Sequence, residues 1–120
     1  MQREAELQRE ALLLWGSHPS VRLWRANAGR ALVATATGGL RSVQMNVNGC
    51  ADAIGWVSVP ASRLGSRNVA VFTGLEFKSD TGQVREAQSA FGAVLTRMGG
   101  LYVLARSMDD VDRGIGGLLG

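Results

Sequence analysis

Apolar residues recur at helical spacing near the start of the chain and at strand spacing through its middle. Leu7, Ala11 and Leu14 fall at i, i+4 and i+7 among charged residues, so residues 2–15 predict an amphipathic helix. Gly16 and Pro19 end it. Residues 21–25 alternate, with Val21, Leu23 and Arg25 against Arg22 and Trp24, and predict a strand. Asn27-Ala28-Gly29 predicts a turn, and residues 31–35 and 42–47 predict two short strands joined through Gly38-Gly39. Residues 53–59 predict a further strand, opened by Asp52. After an arginine-bearing loop, the run Val69-Ala70-Val71-Phe72 leads into the strand end Leu75-Glu76-Phe77-Lys78, where Gly74 signals a bulge or a close backbone approach.

The second half of the chain changes period. Residues 83–98 predict a long helix with Val84, Ala87, Phe91, Val94, Leu95 and Met98 on its inward side, capped by Gly99-Gly100. Residues 101–105 are continuously apolar and predict a central strand. Ser107 is placed to cap a final short helix. This order predicts an α/β fold with a central mixed β-sheet flanked by helices. It forms one domain over residues 1–113, followed by a glycine-rich tail, residues 114–120, that is expected to fray unless a partner subunit covers it.

Composition narrows the function classes. A chain of 120 residues holds one domain with a real core, and a 46% hydrophobic content is ordinary for one. The charged N-terminus argues against a signal peptide, and no apolar run approaches the ~20 residues that span a bilayer. A cytoplasmic protein is expected, in a bacterium or a phage-infected cell. Cys50 is the single cysteine, so no intrachain disulfide forms, and no second Cys or His stands at zinc-ligand spacing. Cys50 is expected to be a small buried residue, and His18, in Ser-His-Pro-Ser, to be exposed. The net charge of +3 suits a polyanion without requiring one. Of the 13 Lys and Arg residues only Lys78 is a lysine; arginine forks onto phosphate, although a GC-rich genome accounts for the bias equally well. Arg22, Arg25, Arg30 and Arg41 surround Trp24 in sequence, a combination suited to a nucleic-acid backbone as well as to a solvated face.

The candidate chemistry lies in two acidic strand ends. On a strand ending Glu76-Phe77-Lys78, Phe77 anchors in the core while Glu76 and Lys78 share the other face. If that strand pairs with the one opened by Asp52, two carboxylates and a lysine converge. Two carboxylates can hold Mg²⁺, which acidifies a bound water, and a lysine can orient that water or stabilise charge on phosphate.

The spacing D-x(23)-E-x-K resembles the PD-(D/E)xK nuclease superfamily, and within it the VRR-NUC branch of small stand-alone phage and bacterial nucleases. The helix with Glu4, Trp24 to Gly29, Gly49-Cys50-Ala51-Asp52, Glu76-Phe77-Lys78, Glu86-Ala87-Gln88 and the Gly99-Gly100 turn into the last strand carry the resemblance, over roughly residues 4–112. The family often has Pro shortly before its Asp, where this chain has Cys50-Ala51. The resemblance implies a restriction-endonuclease-like core with the acidic strands at the sheet centre. It implies Mg²⁺ or Mn²⁺ on Asp52 and Glu76, with the Phe77 carbonyl as a further ligand and Lys78 beside the attacking water. It gives Glu4 on the first helix a share in metal binding, with Glu10 the next candidate, and has Gln88 assist the site. The activity implied is a structure-specific endonuclease of branched DNA, such as Holliday junctions, working as a homodimer. The alternatives are a non-catalytic nucleic-acid-binding module and a nuclease subunit that needs a partner.

Overall fold

The alternating segments pair into one four-stranded sheet, with a separate hairpin beside it. The computed structural model describes residues 3–27, 29–65 and 67–120; Gln2 of the expected first helix, Ala28 of the expected turn and Ser66 lie outside them. In chain order the elements are helix α1 (Glu4–Gly16), strands β1 (Val21–Arg25), β2 (Gly29–Ala34), β3 (Leu40–Met45), β4 (Ala53–Pro60) and β5 (Asn68–Phe77), helix α2 (Glu86–Arg97), strand β6 (Leu101–Ala105) and helix α3 (Met108–Leu119). The sheet runs β1-β4-β5-β6. Its first three strands are antiparallel neighbours, and β6 lies parallel to β5. A parallel neighbour needs a crossover connection, and α2 supplies it. The fold is therefore mixed α/β, with a mixed sheet between helices, and the two acidic strand ends belong to its central strands.

The pleat divides the sheet into two unequal faces. Val21, Ala53, Val57, Leu75, Phe77, Val103 and Ala105 form one, closed by Leu7 and Ala11 of α1 and by Val111 and Ile115 of α3 into a single core. The opposite face is covered by α2 over β5 and β6. There Gly74 leaves room where a Cβ would stand 3.1 Å from Ala51 Cβ and 3.3 Å from Leu95 Cδ2. The register through Gly74 is continuous, so its role is close approach, and β5 carries no bulge there.

Several expectations are corrected. Leu14 is 56% exposed, and the inward stripe of α1 continues through Trp15, which packs on the core and donates from Nε1 to Asp112. Helix α2 begins at Glu86, three residues late, because Arg85 is extended and its N–H is taken by the Gln88 side chain. Strand β6 is an edge strand; its apolar run reflects helices on both faces, which a central position would produce equally. Residues 114–119 are helical: Ile115 is fully buried, and Gly114 lets α3 close onto Val103, where a Cβ would stand 2.5 Å away. His18 is half-buried beside Trp15, with Nδ1 accepting from the Ser20 N–H.

The β2–β3 hairpin stands apart. Among the described residues, its strands make extensive contact only with each other. The radius of gyration of 16.3 Å exceeds the ~14 Å of a compact chain this long.

Candidate active site

Pairing of β4 and β5 sets Ala53 opposite Leu75, so the residue before β4 meets the end of β5. Asp52 is held from both sides. Its backbone carbonyl accepts from the Ala26 N–H at 2.8 Å, and its Oδ2 accepts from the Phe77 N–H at 2.8 Å. The loop before it is keyed to α2 by Gly49, whose φ of +81° suits glycine and whose added Cβ would sit 2.2 Å from the Ala87 carbonyl oxygen. Gly49→Ala is therefore expected to cost about 3 kcal/mol or more in thermal unfolding and to displace Asp52.

Strand alternation sends Phe77 into the core and Glu76 to the opposite face, beneath α2, with both about 1% exposed. Gln88 Nε2 donates to Glu76 Oε1 at 2.7 Å, and Gln88 Oε1 accepts from the Arg85 N–H at 3.0 Å. A backbone N–H can only donate, which fixes the amide's orientation. Glu76 Oε2 is buried, and among the described residues no N–H donor reaches it. Burial, the charge of Asp52 and a hydrogen bond between the two carboxyls push the Glu76 pKa up to about 8, against the opposing pull of Lys78 and Arg85. Two carboxyls set side by side resist carrying two negative charges, a cost that a bound cation would offset. The Tyr102 hydroxyl is also buried without a partner among the described residues, and burial followed by the charges of Glu76 and Asp52 pushes its pKa up to about 12.

A polar cavity of about 250 Å³ opens onto Asp52 and Gln88 at the end of the sheet. Gln8 of α1, Arg85 before α2, and Arg25 and Asn27 after β1 also line it. Cys50 lines it as a thiol: burial and the charge of Glu76 raise its pKa, so it offers no thiolate nucleophile.

Lys78 lies just past β5, half-buried, with its N–H donating to the Ala105 carbonyl at 3.0 Å. Its charge reaches Glu76. Glu4 serves the turn that follows, its Oε1 accepting from the Ser79 N–H at 3.1 Å. Arg106 clamps the same turn from the other side, NH1 donating to the carbonyls of Ser79 at 2.6 Å and Gly82 at 3.0 Å. Among the described residues no three Asp, Glu, His or Cys side chains gather closely enough to hold an ion together, so Glu4 does not join Asp52 and Glu76 as a third carboxylate. Glu10 is on the exposed part of α1.

The four arginines are not one patch. Arg22 is on the main sheet and Arg25 at the cavity, whereas Arg30 and Arg41 occupy opposite faces of the hairpin, paired with Gln44 and Val33. The sequence reading missed Arg85, Tyr102 and Arg106 as neighbours of the site, and it matched Gln8 to the family's helix pattern without giving it a role. Gln8 was within reach, one helical turn beyond Glu4; the other three carry no local signal.

The donor set fits a divalent cation. Two carboxylates stand together, one with a buried oxygen that no N–H donor among the described residues reaches. The Phe77 carbonyl points to the same side of β5 as the N–H that Asp52 binds. Such oxygen ligands beside a polar cavity with room for water suit Mg²⁺ or Mn²⁺. Compared with family models, curated proteins and solved structures, the chain has no match. No helix among the described residues is long and apolar enough to cross a membrane.

Proposed function

We propose that this chain is a metal-dependent DNA endonuclease with a restriction-endonuclease-like core of the VRR-NUC type. The observation that carries this reading is the Asp52–Glu76 pair: two carboxyls pressed together on central strands, one with an orphaned buried oxygen. A structural pair of this kind is costly, since it must keep a proton or lose stability. A cation-binding pair has a use for that cost.

Mg²⁺ or Mn²⁺ bound there would polarise the scissile phosphate and acidify a water. The chain's own residues do the rest. Gln88 holds Glu76 with one carboxylate oxygen turned away from its amide. The Phe77 N–H holds Asp52. Lys78 presents its ammonium to the attacking water or to the charge building on phosphate. Glu4 and Arg106 fix the turn behind Lys78 and so act as positioning residues. Arg25 and Arg85 line the cavity as cations that can meet the DNA backbone. The small domain favours recognition of DNA shape over a base sequence, and two copies on a two-fold axis would suit a branched substrate.

The test is cleavage of a labelled four-way junction, a splayed arm and a linear duplex with Mg²⁺, Mn²⁺ or EDTA. Metal-dependent cutting by the parent and its loss in Asp52→Ala are expected, a drop of at least about 100-fold. Cutting by Asp52→Ala at the parent's rate would show that the acid pair is not the active site. No metal-dependent cutting by the parent, with DNA binding retained, would favour a binding module or a nuclease that needs a partner.

A further inference from the structure

The face of the sheet that carries Glu76 is only half covered. Helix α2 lies over β5 and β6, and β1 and β4 remain open on that side. Antiparallel partners point to the same face, so the pairings of Arg22 with Trp56, Trp24 with Ile54 and Trp56 with Phe72 gather these side chains together. Trp24 is 46% exposed, Trp56 41% and Phe72 44%. The two indoles meet edge to face, with centroids 5.5 Å apart and planes at 78°. That contact consumes one ring face between them and leaves indole surface open to solvent. Exposed aromatic groups on this scale mark recognition surfaces.

The platform is continuous with the candidate active site. Ile54, opposite Trp24, is two residues from Asp52, about 7 Å along the strand, and Trp56 is about 13 Å away. Arg22 stands beside Trp56 on the same face, and Arg25, at the end of β1, lines the cavity with Asp52. Arg25 alternates to the other face of β1, so Arg22 is the cation on the platform itself and Arg25 stands where the platform's end meets the cavity. The open strand positions themselves (Arg22, Trp24, Ile54, Trp56, Ser58, Phe72) include no carboxylate. A two-fold contact of this face with itself would bring arginine toward arginine and supply no acidic partner. A phosphate backbone supplies the missing charge, and its bases supply flat apolar faces.

We propose that the open β1–β4 face is a stacking platform for the unpaired bases of single-stranded DNA. Trp24 and Trp56 are the stacking surfaces, Arg22 holds phosphate beside them, and Arg25 meets the backbone where the strand reaches the cavity. This deepens the nuclease reading and rests on it for the choice of DNA. The substrate would be cut where a duplex gives way to a single strand, with the unpaired arm lying across the indoles. Stacking of this kind tolerates any base sequence.

The experiment is anisotropy of a labelled oligothymidine and of a blunt duplex in EDTA, so that binding is read without cleavage. The parent, Trp24→Ala, Trp56→Ala and Trp24→Phe are compared, with solution mass measured for each. The parent should bind the single strand, each Trp→Ala should weaken that binding about tenfold or more, and Trp24→Phe should keep most of it. Duplex affinity should move less than about twofold. Unchanged single-strand affinity in both Trp→Ala variants, or no binding by the parent, overturns the proposal. So does a Trp56→Ala change from dimer to monomer with oligothymidine binding intact, which would mean that a second copy covers this face. Because no cutting is involved, failure of the nuclease reading would be seen separately, in the cleavage assay.

Discussion

Lys78→Ala is expected to lower single-turnover cleavage by about 100- to 1,000-fold in the presence of Mg²⁺ while leaving thermal stability nearly unchanged. The lysine is half-buried, and its ammonium acts on Glu76 through charge; its backbone, not its side chain, makes the hydrogen bond to Ala105. Truncating the side chain thus leaves the β5–β6 pairing in place. The loss should appear in the rate of the chemical step, with little change in the affinity for DNA. Lys78→Arg should not restore the rate, because a planar guanidinium replaces a compact ammonium beside a crowded turn. That turn is already occupied: where a Cβ on Gly82 would stand, Lys78 Cδ is 3.4 Å away and Glu4 Oε1 3.3 Å. A Lys78→Ala protein that cleaves at the parent's rate would remove the lysine from the mechanism.

Much of the fold was legible because its strands obey a simple period. Alternation from Val21 to Arg25 and the apolar runs before Glu76 identified β1, β4 and β5, and parity alone put Phe77 in the core and Glu76 opposite it. Pairing of the two acidic strands brought Asp52 to Glu76, whereas Gln88, on helix α2, was suggested by the resemblance alone. What failed depended on contacts between distant segments. Glycines at 114, 116 and 117 suggest a fraying tail until Gly114 is seen against Val103, where the missing side chain permits the helix to close. An apolar run such as residues 101–105 reports two covered faces and says nothing about position in the sheet order. Glu4 and Gln8 lie about one helical turn apart on the same face, so position along α1, and not its phase, sends Gln8 to the cavity and Glu4 to the Ser79 turn. Arg106 is 27 residues from Ser79, and its clamp on that turn has no local signature.

Glu76→Gln is expected to stabilise the metal-free protein at about pH 8, and the sign follows from linkage. The Glu76 pKa is raised from an ordinary 4.5 to about 8 in the folded state. Below 4.5 both states hold the proton, and Glu76 contributes no slope. Between 4.5 and about 8 the folded state keeps a proton that the unfolded chain has released, so stability falls as pH rises through this window. Above it the loss is complete and amounts to a few kcal/mol at most, or roughly 5–10 °C in Tm. Glutamine removes this dependence and also satisfies the orphaned position. Its oxygen still accepts from Gln88, while its amide N–H₂ stands where Oε2 stood and can donate to Asp52. Melting in EDTA should therefore give parent and variant similar Tm values near pH 5 and a higher value for the variant near pH 8. A divalent cation that binds only the folded state adds stability by mass action. Mg²⁺ or Mn²⁺ should thus raise the Tm of the parent near pH 8 and leave Glu76→Gln almost unmoved. If the cation shifted both proteins equally, it would be binding elsewhere. If Glu76→Gln melted below the parent near pH 8, the acid pair would be an ordinary stabilising contact, with no strain for an ion to relieve.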